Sequence, residues 1–198
     1  MVTGGSGGKD TPPLDTSTSV KLALGELSVE SVVSFFSDKA QFPTDASAAA
    51  LAVIESYVRE ATVEPLRTGA VTETALAEIF DDAAVAYLAT ADRSVLFDEG
   101  LPKAVGKVIV EGTPIALTLL LDANKAPVLI TATIDLQIKA QSKKGLMTVT
   151  RTGALVLHQQ LDATWKITAW TLHVERGGPG VAATPTDSTA TTTTTVAL

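Results

Sequence analysis

The sequence predicts an α+β fold, with N-terminal helices packed on a curved, mostly antiparallel sheet of about five strands. Two changes of rhythm predict it. Apolar residues recur at helical spacing up to Arg93 and at every second position beyond it, and the links between the later apolar runs are short. Such links join antiparallel neighbours, because a parallel crossover needs roughly a dozen residues or more.

Pro43-Thr44-Asp45 offers a helix start, after which Leu51, Ile54, Tyr57 and Val58 fall on one stripe until Pro65, expected to stop the run. A second series, Leu76, Ile79, Phe80, Ala83, Tyr87 and Leu88, follows Thr72 and predicts one long or two short helices. Strands are expected at 107–111 and 114–121. Ile130, Ala132, Ile134, Leu136 and Ile138 then alternate with Thr131, Thr133, Asp135, Gln137 and Lys139, the clearest half-buried strand in the chain. Further strands are expected at 146–159, after the turn Ser142-Lys143-Lys144-Gly145, and at 164–175, after Leu161-Asp162-Ala163. Together these make a meander of hairpins. In the last strand Trp165, Ile167 and Ala169 share one face while Trp170, Leu172 and Val174 share the other, so a bulge near Ala169-Trp170 is expected to return both sets to the core.

The length of 198 residues fits one domain, read as 19–176, between a leader at 1–18 and a Thr-rich tail at 177–198. Both ends are Gly, Ser, Thr and Pro with little to bury, and are expected to be disordered. The early Gly run is no phosphate loop, since Thr3 stands where the first Gly belongs and Asp10 where Ser or Thr should follow Lys9. With no Cys and two His, a disulfide framework, a thiol nucleophile, a zinc ribbon and an iron–sulfur cluster are excluded, and no cofactor is expected. A net charge of −7 without a basic stripe argues against nucleic acid. No apolar run of about 20 residues is present, so no transmembrane span is expected. Charge is uneven: 11 acids and 3 bases lie between Asp45 and Glu99, against 5 acids and 9 bases between Gly100 and Arg176.

The helical stretch 47–89, the hairpin after Gly145 and the closing string Asp162-Ala-Thr-Trp-Lys-Ile resemble the nuclear-transport-factor-2-like superfamily, the cystatin-like cone shared by ketosteroid isomerase and polyketide cyclase relatives. Asp162-Ala163 departs from the Gly turn usual before that final string. The strings Asp92-Arg93-Ser94 and Asp98-Glu99-Gly100-Leu101-Pro102 resemble secreted or lipid-anchored bacterial proteins of unknown function, and the leader is similar to the spacer that follows a lipoprotein's lipid-bearing cysteine. The resemblance implies an exported, cell-envelope protein; if the leader is a tag or plain N-terminus, the protein is cytoplasmic.

Isomerases of this type would place a carboxylate base inside the cone. Asp135 falls on the outer parity and is a poor candidate. Arg151 stands on the inward parity with Met147, Val149, Leu155 and Leu157, and a buried guanidinium needs an acidic partner or an anionic ligand. Three outcomes are open for it: an ion pair with Asp92, Asp98 or Glu99, a bulge at Gly153 that turns it to solvent, or a pocket anchor. Tyr57 and Tyr87 lie on the helical stripes and complete a candidate ligand pocket with Arg151. His158 and His173 are too far apart along their strands for one metal ion, and no Gly-x-Ser-x-Gly elbow is present, so no catalytic residue is assigned. Thr131, Thr133, Thr148, Thr150, Thr152, Thr164, Thr168 and Thr171 are expected to cover the outer sheet face. That face fits a homodimer contact or a protein partner, whereas the pocket would take a small apolar or anionic ligand. The expected function is therefore a non-catalytic binding or assembly module. The alternative is a ketosteroid-isomerase-like isomerase or cyclase that uses the pocket.

Overall fold

A computed structural model describes residues 20–31, 42–88, 93–124, 126–182 and 187–191. The fold is α+β: strand β1 (Leu24–Ser31) precedes the helices α1 (Thr44–Val58), α2 (Glu64–Thr68), α3 (Glu73–Ile79), α4 (Asp82–Leu88) and α5 (Arg93–Leu96). Strands β2 (Ala104–Gly112), β3 (Ile115–Leu121), β4 (Pro127–Ser142), β5 (Gly145–Gln159), β6 (Trp165–Gly177) and β7 (Asp187–Thr191) follow. One sheet holds all seven strands in the order β1-β3-β4-β5-β6-β7, with β2 also on β4. Every pairing is antiparallel except β1 with β3.

The helices lie over one face of this sheet and exclude water from it. Ile130, Ala132, Ile134, Leu136 and Ile138 of β4 are buried there, as are Met147, Val149, Leu155 and Leu157 of β5, so the period-two reading of these strands holds. Phe80, at the end of α3, is the aromatic hub between the layers, meeting Tyr57, Phe97 and Trp170 edge-on at 5.8–6.0 Å between ring centroids. Across β6 the bulge is present, but it falls at Thr168: Val156 pairs with Ala169 and Leu157 with Ile167. Trp165 and Ile167 before it, and Trp170, Leu172 and Val174 after it, all become buried. Thr168 is buried with them and does not belong to the outer face. Thr164 precedes the strand, where its amide and hydroxyl bond Asp162.

Three expectations change. First, the strands around 107–121 are not a hairpin. β2 and β3 run in the same direction along β4, one continuous edge broken at Thr113-Pro114, where the pairing slips by one residue and the inward parity passes from Val108 and Val110 to Ile115, Leu117 and Leu119. Proline has no amide for a ladder, and Gly112 lies so close to β4 that an added Cβ would stand 2.5 Å from the Asp135 carbonyl. Second, β1 adds a parallel edge strand from a segment in which no strand was expected. Third, Asp187–Thr191 pairs with β6 as β7, inside the stretch read as a disordered tail. The leader at 1–18 and the remainder of the tail from 192 lie outside the described residues. Among the described residues no helix is long and apolar enough to cross a membrane.

Candidate functional site

Pro65 does not stop the first helix; it reshapes it. The chain passes from α1 through a π-helical turn at Arg59–Val63, in which the Glu64 amide reaches back to the Arg59 carbonyl, and Pro65 then occupies the first turn of α2. There its missing amide costs no hydrogen bond at the helix start. A regular helix would have used that amide to satisfy the Ala61 carbonyl. Left without it, Ala61 accepts the backbone N–H of Asp98 at 2.8 Å. The wide turn also brings Thr62 toward the sheet.

Asp98, held in this way, is fully buried between two guanidiniums. Its Oδ2 accepts from Arg151 at 2.7 Å and its Oδ1 from Arg176 Nε at 2.6 Å. Arg151 spends its other two nitrogens on the helical layer, Nε donating to Thr62 Oγ1 and Nη1 to the Tyr57 hydroxyl, each at 3.0 Å. Tyr57 in turn donates to the Leu96 carbonyl at 3.4 Å, and Arg176 also donates to the Phe97 carbonyl. The side chains of Arg151 and Asp98 are both 0% exposed. Burial opposes the charge on Arg151, yet Asp98 and then Tyr57 outweigh it and hold the guanidinium more firmly protonated than usual. Burial pushes the Tyr57 hydroxyl above its ordinary value, against the pull of Arg151.

Of the outcomes weighed for Arg151, the ion pair with Asp98 is the one present. Its ladder is regular through Gly153, which pairs with Ile134 on one side and Leu172 on the other, so no bulge turns Arg151 outward. Glu99 is engaged elsewhere: it pairs with Arg93 at 2.9 Å and accepts the Val71 amide. The Arg93 hydrogen bond, ahead of an opposing desolvation, holds the Glu99 carboxyl below its usual range. Asp92 lies outside the described residues.

Tyr57 and Arg151 are thus brought together, and Tyr87 is not. The residue is 37% exposed, and its ring rests against Trp170 at 5.9 Å between centroids. A groove of about 170 Å³ lies on the outer side of α1 and α3, lined in part by Val53, Ser56, Arg59 and Glu78, and includes none of the three candidate residues. His173 pairs with Thr152, six residues along β5 from His158, or roughly 20 Å at about 3.3 Å per residue. Among the described residues no group of three or more His, Asp or Glu side chains is placed to hold a metal ion.

The residues missed from sequence are Thr62 and Arg176. Thr62 sits in a π-turn, whose wider step no regular helical period announces. Arg176 did carry a signal, because it continues the inward parity of Trp170, Leu172 and Val174. No family model, no curated protein and no solved structure matches this chain.

Proposed function

We propose that the chain is a non-catalytic binding or assembly module of the nuclear-transport-factor-2-like kind, carried at the bacterial cell envelope. One observation carries the reading. The interior groups with the most chemical potential, Arg151, Asp98, Tyr57 and Thr62, are engaged with one another and sealed from solvent. A guanidinium whose three nitrogens already donate internally has poor capacity to anchor a substrate carboxylate. The outer face of the sheet, which no described helix covers, supports the second half of the reading: Thr131, Thr133, Thr148, Thr150, Thr152 and Thr171 sit there with Asp135, Gln137 and Lys139, in reach of a protein partner or of another copy of the domain. Envelope placement is supported by the leader's composition and by the resemblance of the strings at 92–94 and 98–102 to secreted or lipid-anchored proteins.

The test is a turnover assay on ketosteroid-type and polyketide-type substrates, run beside Arg151→Met. The expected result is no turnover in either protein. Turnover by the parent chain that Arg151→Met abolishes while the fold survives would overturn the proposal in favour of the isomerase or cyclase reading.

A further inference from the structure

Among the described residues β2 pairs with β4 and with no second strand, so one of its edges offers backbone donors and acceptors to a partner. The phase of the ladder says which residues offer them. Thr113 donates its amide to the Asp135 carbonyl at 3.0 Å, one step beyond the pairing of Gly112 with Leu136. Hydrogen-bonded and non-hydrogen-bonded pairs alternate in an antiparallel ladder. Glu111 and Ile109 therefore direct their backbone groups to β4, while Gly112, Val110 and Val108 direct theirs to the open edge. The side chains along this edge are unusually apolar for an exposed strand: Ile109 is 42% exposed and Val105 46%.

Residues 106–112 read Gly-Lys-Val-Ile-Val-Glu-Gly. The run is symmetric about Ile109 in its apolar and glycine positions and opposite in sign at its two charges. We propose that β2 pairs antiparallel with β2 of a second copy of this chain, about a two-fold axis at Ile109, so that the sheet continues from one protomer into the other. In this register Val108 and Val110 exchange backbone hydrogen bonds with Val110 and Val108 of the copy, the residues whose groups already face the edge. Ile109 meets Ile109. The ladder on β4 is regular from Val108 to Gly112 and shifts register between Ala104 and Val108. Lys107, the residue next to that regular run, therefore faces Glu111 of the copy once at each end of it, in the narrow non-hydrogen-bonded pairs where facing side chains lie closest. Sliding by two residues either way sets Lys107 against Ile109 or Thr113 and loses both ion pairs, so charge fixes the register. Glu111 is available for the contact, since its ion pair with Lys139 at 2.7 Å leaves its side chain 56% exposed. Self-complementarity of this form is what an isologous two-fold interface requires. The axis stands perpendicular to the sheet and leaves both Thr-bearing faces on one side of the dimer; the proposal does not rest on what binds there.

Sedimentation of the full chain tests it. The parent chain is expected to sediment as a dimer, and Lys107→Glu and Glu111→Lys, each setting like charges opposite one another twice, to weaken it about tenfold or more. Mixed in equal amounts, the two variants are expected to recover the dimer, because each then faces the opposite sign at both positions; chains that had merely misfolded would not. A monomeric parent chain, a dimer unmoved by either reversal, or a mixture that stays monomeric overturns the proposal. So does a dimer that dissociates with Thr150→Arg on the sheet face while tolerating both reversals.

Discussion

Asp98→Asn exchanges one carboxylate oxygen for an amide nitrogen and removes a negative charge from a site where both oxygens are engaged, at 2.7 Å to Arg151 and 2.6 Å to Arg176, with no exposure to water. Shape is conserved; charge balance is not. Two guanidiniums are left buried with no anion between them, and the new amide presents a donor to one of them. Breaking a buried ion pair by removing one partner costs about 3–5 kcal/mol. For a chain of this size each kcal/mol moves the midpoint by roughly 2–4 °C, so the melting temperature should fall by about 10 °C. Arg151→Met should cost less, about 2 kcal/mol, because Asp98 keeps Arg176 as a one-to-one partner and the loss is mainly of hydrogen bonds to charged groups. Urea titration followed by the fluorescence of the buried Trp165 and Trp170 measures both. The order is the decisive result. If Arg151→Met proves the more damaging, or if Asp98→Asn costs under about 1 kcal/mol, Asp98 is not the counter-charge that holds two arginines in the interior.

Two backbone positions should respond with opposite signs. Gly153 has φ +136° and an added Cβ would stand 2.1 Å from the Thr171 carbonyl, so Gly153→Ala should destabilise the protein by roughly 2–4 kcal/mol or prevent folding, read from the same titration. Ala163 holds φ +66° in the turn before β6, and Ala163→Gly should raise stability by up to about 1 kcal/mol by relieving the Cβ; a loss would show that the turn carries no such strain. The Glu99 carboxyl is held below its ordinary range by Arg93, so its contribution is fully present above the unfolded carboxylate value and is lost as pH falls through the lowered folded one. Glu99→Gln should therefore flatten the acid limb of a stability–pH profile by less than about 1 kcal/mol, since the pair is partly open to solvent; an unchanged limb would remove Glu99 as a source of acid sensitivity.

How much of this was legible depended on whether a regular period ran through the residues concerned. β4, β5 and the inward placing of Arg151 follow from alternation alone, and the parity switch in β6 announced its bulge within two residues. The break at Thr113-Pro114 was not legible as a continuous edge, because a two-residue link between strands looks like a hairpin turn until both strands are seen on β4. β1 hides its alternation behind a register shift between Leu24 and Leu27 and pairs with β3 across more than eighty residues of intervening chain. Asp98 was one of three acids weighed for Arg151; nothing local separated it from Asp92 or Glu99, because the choice is made by a hydrogen bond to Ala61, in another element.

That hydrogen bond connects the uneven charge of the sequence to its interior. The acidic helical half sends one buried carboxylate, Asp98, and the basic sheet half sends Arg151 and Arg176 to meet it, so the layers are joined by charge at a point that Pro65 prepares by leaving the Ala61 carbonyl free. Pro65→Ala tests this order of cause. In the first turn of a helix such a change is ordinarily close to neutral. Here the restored amide competes with Asp98 for the Ala61 carbonyl, and if the π-turn closes into regular helix Thr62 swings away from Arg151 Nε, 3.0 Å distant in the parent. A loss of about 1–2 kcal/mol is expected, the span from an ordinary hydrogen bond to one with a charged group. Hydrogen exchange at the Asp98 amide should quicken by more than global destabilisation accounts for. A stabilised variant with unchanged protection at Asp98 would mean that the π-turn is dictated by the packing of Thr62 and Ala61 under the sheet, with the proline only following it.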